Sequence, residues 1–194
     1  NNNFNEIRGM YMEKETLHNR NKLLVKLMWF SLFLAVAVDV ANKLSAKVIL
    51  TVTIAGFLIC GLITYLVWRK LYITYVKYIV TVGMGVLSYF ILTASSGTTS
   101  FINILIVYYS LAIISLYQDH KPLILSGIIG CLLTNYYFFS TRATIFAGID
   151  SKILTSMNLY LVLVTVLLIF QTRIGQKMRK DLEEKEKNAS QAKG

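Results

Sequence analysis

Long segments of apolar residues constrain this chain more than any other feature. Residues 48–68, VILTVTIAGFLICGLITYLVW, carry no charged side chain and would form a helix about 31 Å long. The hydrocarbon core of a bilayer is about 30 Å thick, so such a helix can cross it. Five further segments have a similar apolar character: residues 23–40, 75–93, 101–117, 122–139 and 153–170.

The composition agrees with a chain that lies in lipid. Of the 194 residues, 55% are hydrophobic and 15% are charged, and the mean hydropathy is +0.56. A water-soluble domain of this size carries a larger charged share. We therefore predict an all-α fold: an integral membrane bundle of six transmembrane helices, whose last helix continues into a cytoplasmic coiled-coil-like helix.

The basic residues predict how the helices are oriented. Six spans place both termini on one side, and with cytoplasmic termini sixteen of the 20 Lys and Arg residues lie inside. The other four are Lys43, Lys47, Arg142 and Lys152. This positive-inside pattern predicts a multi-pass protein with both termini cytoplasmic. The net charge of +10 then reflects orientation and contact with membrane lipids, and we expect no nucleic-acid partner.

The chain divides into three regions. Residues 1–22 are polar and form a cytoplasmic N-terminal segment, either one or two helical turns on the membrane surface or a flexible tail. Residues 23–170 form the six-span domain. Residues 171–194 are rich in helix formers, and their apolar side chains at Ile174, Met178 and Leu182 are spaced by four. We predict that they begin a cytoplasmic output helix, cut short at the end of the sequence, through which two chains form a homodimer.

The residues that catalysis would need are missing. His18 and His120 are the two histidines, and neither a metalloprotease HExxH motif nor a phosphate-binding glycine loop occurs. Cys60 and Cys131 both fall inside predicted spans and lack the spacing of metal ligands. We predict that the chain is not an enzyme and uses no catalytic residue, metal or cofactor.

Polar side chains recur in the outer halves of several predicted spans. Asp39 is an ionisable residue inside a span, which either marks a functional site or pairs with Lys43 one helical turn away. The set comprises Asp39, Asn42, Asn103, Asn135 and Asn158. Such groups either join helices by hydrogen bonds or line a polar pocket. As a hypothesis, the set binds a small polar molecule from outside.

Small residues four positions apart predict close helix packing. Such pairs are Gly56 with Cys60, Ser126 with Gly130, and Gly127 with Cys131.

The connector between the fourth and fifth spans contains the one proline of the chain, Pro122. We expect Asp119 to cap the fifth helix, Pro122 to lie in its first turn, and His120 to face solvent. Lys77, inside the third span, is expected to extend to the near interface.

Three stretches together resemble a known family: LHNRNKLLVKLMWFSL, YQDHKPLILSGIIGCLLTNYYFF and QTRIGQKMRKDLEEKEK. They are similar to the N-terminal multi-span membrane region of methyl-accepting chemotaxis proteins of Bacillus-type bacteria. The resemblance covers essentially the whole chain, and its most specific part is the pattern Y-x-x-x-K-P-x-x-x-S-G from Tyr117 to Gly127.

The resemblance implies a sensor in the bacterial cell membrane that signals through the helix after the sixth span. Its partners would be a cytoplasmic chemotaxis kinase and adaptor, contacted through a C-terminal region that this sequence lacks. No methylation helices, kinase-contacting tip or HAMP pattern is present in these residues. Related membrane modules precede diguanylate cyclases and histidine kinases, so these outputs stay open, and a small multi-span transporter is the alternative of another class.

Overall fold

The structure is a computed structural model that describes residues 2–41, 43–94 and 102–191. These residues form six α-helices and, within the described ranges, no β-strand. The helices are α1 (Asn2–Ala41), α2 (Ala46–Trp68), α3 (Val76–Ala94), α4 (Leu105–Ser115), α5 (His120–Ser140) and α6 (Lys152–Gln191). The prediction of an all-α fold with several long apolar helices is therefore confirmed.

The turns between helices contain residues with an unusual backbone conformation. The residues Lys43, Lys70, Tyr72 and Gln118 have positive φ angles of 51° to 54°, which lie in the left-handed region that helices do not use. Each of these residues lies between two helices, so the left-handed conformation marks where the chain reverses. Asp119 caps α5, because its Oδ1 accepts the backbone N–H of Lys121 at 3.0 Å, as the sequence predicts.

The fourth predicted span is shorter in the structure than in the sequence prediction. A 3₁₀ turn at residues 102–104 leads into α4, which has 11 residues and ends at Ser115. Together these are about 22 Å long, less than a hydrocarbon core. Five other helices of the described chain are long and apolar enough to cross a membrane. The predicted segment, residues 101–117, is therefore longer than α4 at both ends, since residues 102–104 form a 3₁₀ turn and residues 116–117 form a turn before the left-handed Gln118.

The polar N-terminal segment is a helix rather than a tail or one or two separate turns. Residues 2–22 continue directly into the first apolar segment, and α1 therefore has 40 residues. Helix α6 also has 40 residues and runs without a break from the apolar segment into the charged C-terminal one. Residues 2–22 are thus helical over more than the one or two turns that the sequence predicted.

The helices alternate between two ends of the bundle. Arg20 of α1, Lys77 of α3 and Gln176 of α6 all bond to residues 117–119, between α4 and α5. We call this end the basic end, and the end where α5 is joined to α6 the opposite end. The short α4 packs against α3, α5 and α6, while α1 packs mainly against α2.

The small residues lie where helices approach closely. A side-chain carbon on Gly56 would lie 2.3 Å from Cδ1 of Leu32 on α1. On α5, a carbon on Gly127 would lie 2.8 Å from Cγ2 of Thr165, and one on Gly130 would lie 2.7 Å from Cγ1 of Val107. Cys60 and Ser126 are buried and Cys131 is half-buried. These contacts lie inside one chain, between α1 and α2 and between α5 and its neighbours.

Candidate functional site

Two asparagines of the predicted polar set meet at the opposite end. Nδ2 of Asn135 on α5 donates to Oδ1 of Asn158 on α6 at 3.1 Å, and the reciprocal bond measures 3.4 Å. Each amide also donates to the carbonyl four residues earlier in its own helix, Cys131 or Leu154. Both side chains thus join α5 to α6, which corresponds to the packing alternative.

Asp39, another member of the set, lies on a different helix from this pair. Asp39 is half-buried near the end of α1, whose main neighbour is α2. Helix α1 ends at Ala41 and Lys43 is left-handed, so the helical spacing that an Asp39–Lys43 ion pair needs is lost. Among the described side chains that pair is not formed. Asn103 is half-buried in the turn before α4, and Asn42 lies outside the described residues.

Two cavities differ in size and chemistry. A small one of about 10 Å³, lined by both hydroxyl groups and apolar side chains, lies between α3, α4 and α5, beside the hydrogen bond of 3.0 Å between Ser88 Oγ and Ser110 Oγ. It has room for about one water molecule. An open apolar groove of about 350 Å³ lies at the opposite end, lined by residues of α4, α6 and the turn before α4: Ile102, Ile104, Leu105, Tyr108, Met157 and Tyr160. Tyr108 also donates from its hydroxyl to the carbonyl of Met157 at 3.2 Å, which ties α4 to α6.

The turn between α4 and α5 is bonded to more helices than Asn135 or Asn158 is. The backbone carbonyl of Gln118 accepts Nε2 of Gln176 on α6 at 2.6 Å. Its side-chain Oε1 accepts Nη2 of Arg20 on α1 at 3.0 Å and also Nη2 of Arg179 on α6. Arg20 donates in addition to the carbonyl of Tyr117 at 2.6 Å. Side chains of α1 and α6 therefore bond to the same residue, Gln118, at the basic end.

The next residue, Asp119, connects the same turn to α3. Nζ of Lys77 bonds to Oδ2 of Asp119, and the two side chains are 14% and 22% exposed. Burial raises the pKa of Asp119, but the bonds from Lys77 and the backbone of Lys121 and the charges of Lys77 and His120 outweigh it. The pKa of Asp119 is therefore below its ordinary value, and the carboxylate stays ionised at neutral pH.

His120 is less exposed than the sequence analysis predicts. Its side chain is 34% exposed, and its Nδ1 lies 3.9 Å from Oδ1 of Asp119. His120 was expected to face solvent, but its side chain is half-buried. Lys77 extends to the basic end as expected, where it finds a carboxylate partner.

The roles of four residues were not predicted from the sequence: Gln118, Gln176, Arg20 and Arg179. The bonding partners of Gln118 on α1 and α6 lie 98 and 61 residues away along the chain. No local periodicity predicts such contacts. The available signal was the position of Gln118 in a tight connector, next to the predicted cap Asp119.

The fold and these contacts define a class: an all-helical bundle with several long apolar helices, tied together by polar bonds at both ends. Among the side chains that the structure describes, no three His, Cys, Asp or Glu groups gather as metal ligands would. Comparison of the chain with protein families, with curated proteins and with solved structures gives no match. The function must therefore be argued from the bundle itself.

Proposed function

We propose that this chain is a membrane sensor module that relays a stimulus from its helical bundle to a cytoplasmic helix. The observation that carries this proposal is the continuity of α6. One unbroken helix contains Asn158, bonded to α5 at the opposite end, and Gln176 and Arg179, bonded to the α4–α5 turn at the basic end. A displacement at one end of such a helix is transmitted to the other.

Exposed apolar side chains support a membrane location. Leu58, Leu132 and Leu167 are 69%, 66% and 66% exposed, and each belongs to a helix long enough to span a bilayer. A continuous apolar surface of this kind is covered by lipid in membrane proteins. We propose that α1, α2, α3, α5 and α6 cross the bacterial cell membrane, and that the short α4 completes the bundle as a sixth segment.

The contacts of Gln118 support a cytoplasmic position for both termini. Arg20 of α1 and Arg179 of α6 bond to the same side chain, so the polar extensions of both helices leave the bundle at the basic end. Since basic residues favour the cytoplasmic side, the basic end is the cytoplasmic end in this proposal.

The output is proposed from the resemblance to chemotaxis receptors. In this proposal α6 leads toward a signalling coiled coil that contacts a chemotaxis kinase and adaptor. The same relay would serve a diguanylate cyclase or a histidine kinase. The transporter alternative is less well supported, because the predicted spans carry few charged residues at mid-membrane depth, where substrate and ion pathways usually contain them.

The mechanism is a shift of α6 between two positions. Two of the described side chains of α6 are buried, Leu161 and Thr172, and the rest are exposed or half-buried, so a shift of α6 would disturb mainly its contacts with α5. Its polar bonds to α5 and to the α4–α5 turn hold one position. A stimulus that binds the alternative position more tightly would shift the population toward it.

We expect two chains to form a dimer through the C-terminal part of α6. Ile174, Met178 and Leu182 are 60%, 61% and 57% exposed and lie beyond the predicted apolar segment 153–170, in the part of α6 that we propose to be cytoplasmic. In a chain with Cys60 and Cys131 replaced by alanine, Met178→Cys should form a disulfide between chains in membranes. Lys180→Cys, about 200° round the helix, should cross-link several times more slowly. Equal rates at both positions, or no cross-linking, would contradict the dimer.

The relay itself is tested by perturbing one end of α6 and observing the other. Asn158→Leu removes the bond to Asn135, about 30 Å along the helix from Met178. We expect the cross-linking rate of Met178→Cys to change by about fivefold, the lower range for coupling between sites. Ser156→Leu is the matched control, because Ser156 is exposed on the same helix. If both substitutions leave the rate unchanged, or change it equally, the relay is wrong.

A further inference from the structure

Two guanidinium groups converge on one neutral oxygen at the basic end. Nη2 of Arg20 lies 3.0 Å from Oε1 of Gln118, and Nη2 of Arg179 bonds to the same atom. Because both nitrogens are within hydrogen-bonding distance of one oxygen, they lie within about 6 Å of each other. Two positive charges at this separation repel.

The described surroundings do not neutralise this pair of charges. Of the carboxylates whose side chains the structure describes, none forms an ion pair with Arg20 or Arg179, and Asp119 is bonded to Lys77. A guanidinium has five N–H donors; Arg20 uses Nη1 and Nη2 in the bonds described above, and Arg179 uses Nη2. Both arginines therefore keep donors for a further acceptor.

The geometry suits one class of anion. Arginine binds phosphate oxygens through two parallel N–H bonds, and a tetrahedral phosphate can accept from two arginines at once. Gln118 lies in the turn between two apolar helices, and Arg20 precedes the apolar segment of α1 by three residues. The site is thus at the boundary where phospholipid head groups lie.

We propose that Arg20 and Arg179 bind the phosphate of an anionic phospholipid head group from the cytoplasmic leaflet. The bound lipid bridges α1 and α6 above Gln118 and stabilises the position of α6 that the structure shows. Lipid composition would thereby set how readily the output helix moves. This inference rests on the membrane location in the proposed function, but it needs neither a stimulus nor signalling.

Native mass spectrometry of the detergent-solubilised full chain tests the site. Phosphatidylglycerol should bind to one tight site per chain in preference to phosphatidylcholine. In the double variant Arg20→Gln, Arg179→Gln, its affinity should fall by at least about tenfold, since two charge-assisted contacts are lost. Arg173→Gln with Lys180→Gln is the matched control, because it removes the same charge from exposed positions of α6 and should change affinity less than about twofold.

A second variant separates loss of the site from loss of the fold. Gln118→Glu is nearly isosteric and places a carboxylate between the two arginines. It should weaken phosphatidylglycerol binding by about tenfold while the apparent unfolding temperature stays equal or rises. Unchanged lipid affinity in either site variant, an equal loss in the matched control, or equal binding of phosphatidylcholine would overturn the proposal.

Inorganic phosphate distinguishes a lipid head group from a soluble anion. If millimolar phosphate fails to displace phosphatidylglycerol from the wild-type chain, the acyl chains contribute and the lipid assignment stands. Complete displacement would assign the site to a soluble phosphate compound and overturn the lipid assignment. Because these titrations are done in detergent, their failure would leave the cross-linking tests of α6 unaffected.

Discussion

Replacing Gly130 by valine should lower the stability of the bundle by about 2–3 kcal/mol, the cost of overpacking a well-filled core. A side-chain carbon at this position would lie 2.7 Å from Cγ1 of Val107 on α4 and 3.1 Å from Cδ2 of Leu161 on α6. Val107 is β-branched and stiff, so it cannot turn away easily. Thermal unfolding of the purified chain in detergent should show an apparent Tm about 5–10 °C lower.

The same substitution at Gly61 is the matched control for this prediction. A side-chain carbon on Gly61 in α2 would have no atom within 4 Å. Gly61→Val carries the same change in helix propensity without the clash, so its Tm should stay close to the wild-type value. A similar loss of stability in both variants would show that the close approach of α4, α5 and α6 at Gly130 is incorrect.

Substitution of Asp119 by asparagine should destabilise the chain by about 2–3 kcal/mol at pH 7, because it leaves the mostly buried Lys77 without its carboxylate. Asparagine retains the cap of α5, so the change isolates the ion pair. The pKa of Asp119 in the folded chain is below the unfolded value of about 3.9. The ion pair therefore stabilises the fold fully above about pH 4, and this contribution is lost as the pH falls through the folded-state pKa.

Asp150 provides a control with almost the same local chemistry. Its Oδ1 accepts the backbone N–H of Lys152 at 3.0 Å, just as Asp119 caps α5, but its neighbouring lysine is 91% exposed. Asp150→Asn should therefore change the unfolding temperature little at pH 7. The difference between wild type and Asp119→Asn should shrink below pH 4. A pH-independent difference would indicate that the carboxylate charge is not responsible.

The apolar segments made most of the helices predictable, whereas the ends of helices depended on single residues. Residues 48–68 were predicted as a helix on hydrophobicity alone, and α2 covers them with two more residues at its start. Residues 101–117 were predicted as one span, because hydrophobicity does not distinguish the 3₁₀ turn at 102–104 and the turn at 116–117 from the α-helix between them. Asp119 was predicted as a cap because that bond joins neighbours in sequence.

The candidate site was predicted only in part for a related reason. Asn135 and Asn158 were selected by their similar depth in adjacent spans, and the structure joins them. Asp39 satisfied the same rule, but depth does not say which helices are neighbours, and α1 packs mainly against α2. The pair of arginines at Gln118 depends on the α4–α5 turn lying within reach of both α1 and α6, which is a property of the whole topology.

The unbroken backbone of α6 fixes an angle as well as a distance. Each residue of a helix advances the direction of a side chain by about 100°. The face that carries Ile174, Met178 and Leu182 is therefore held in register with the Asn135–Asn158 bond by residue count alone. One residue inserted after Phe170 would turn that face about 100° away, while seven would return it to within about 20° of its original direction. In a dimer joined by this face, the rotation of α6 about its own axis would therefore be part of what the helix transmits.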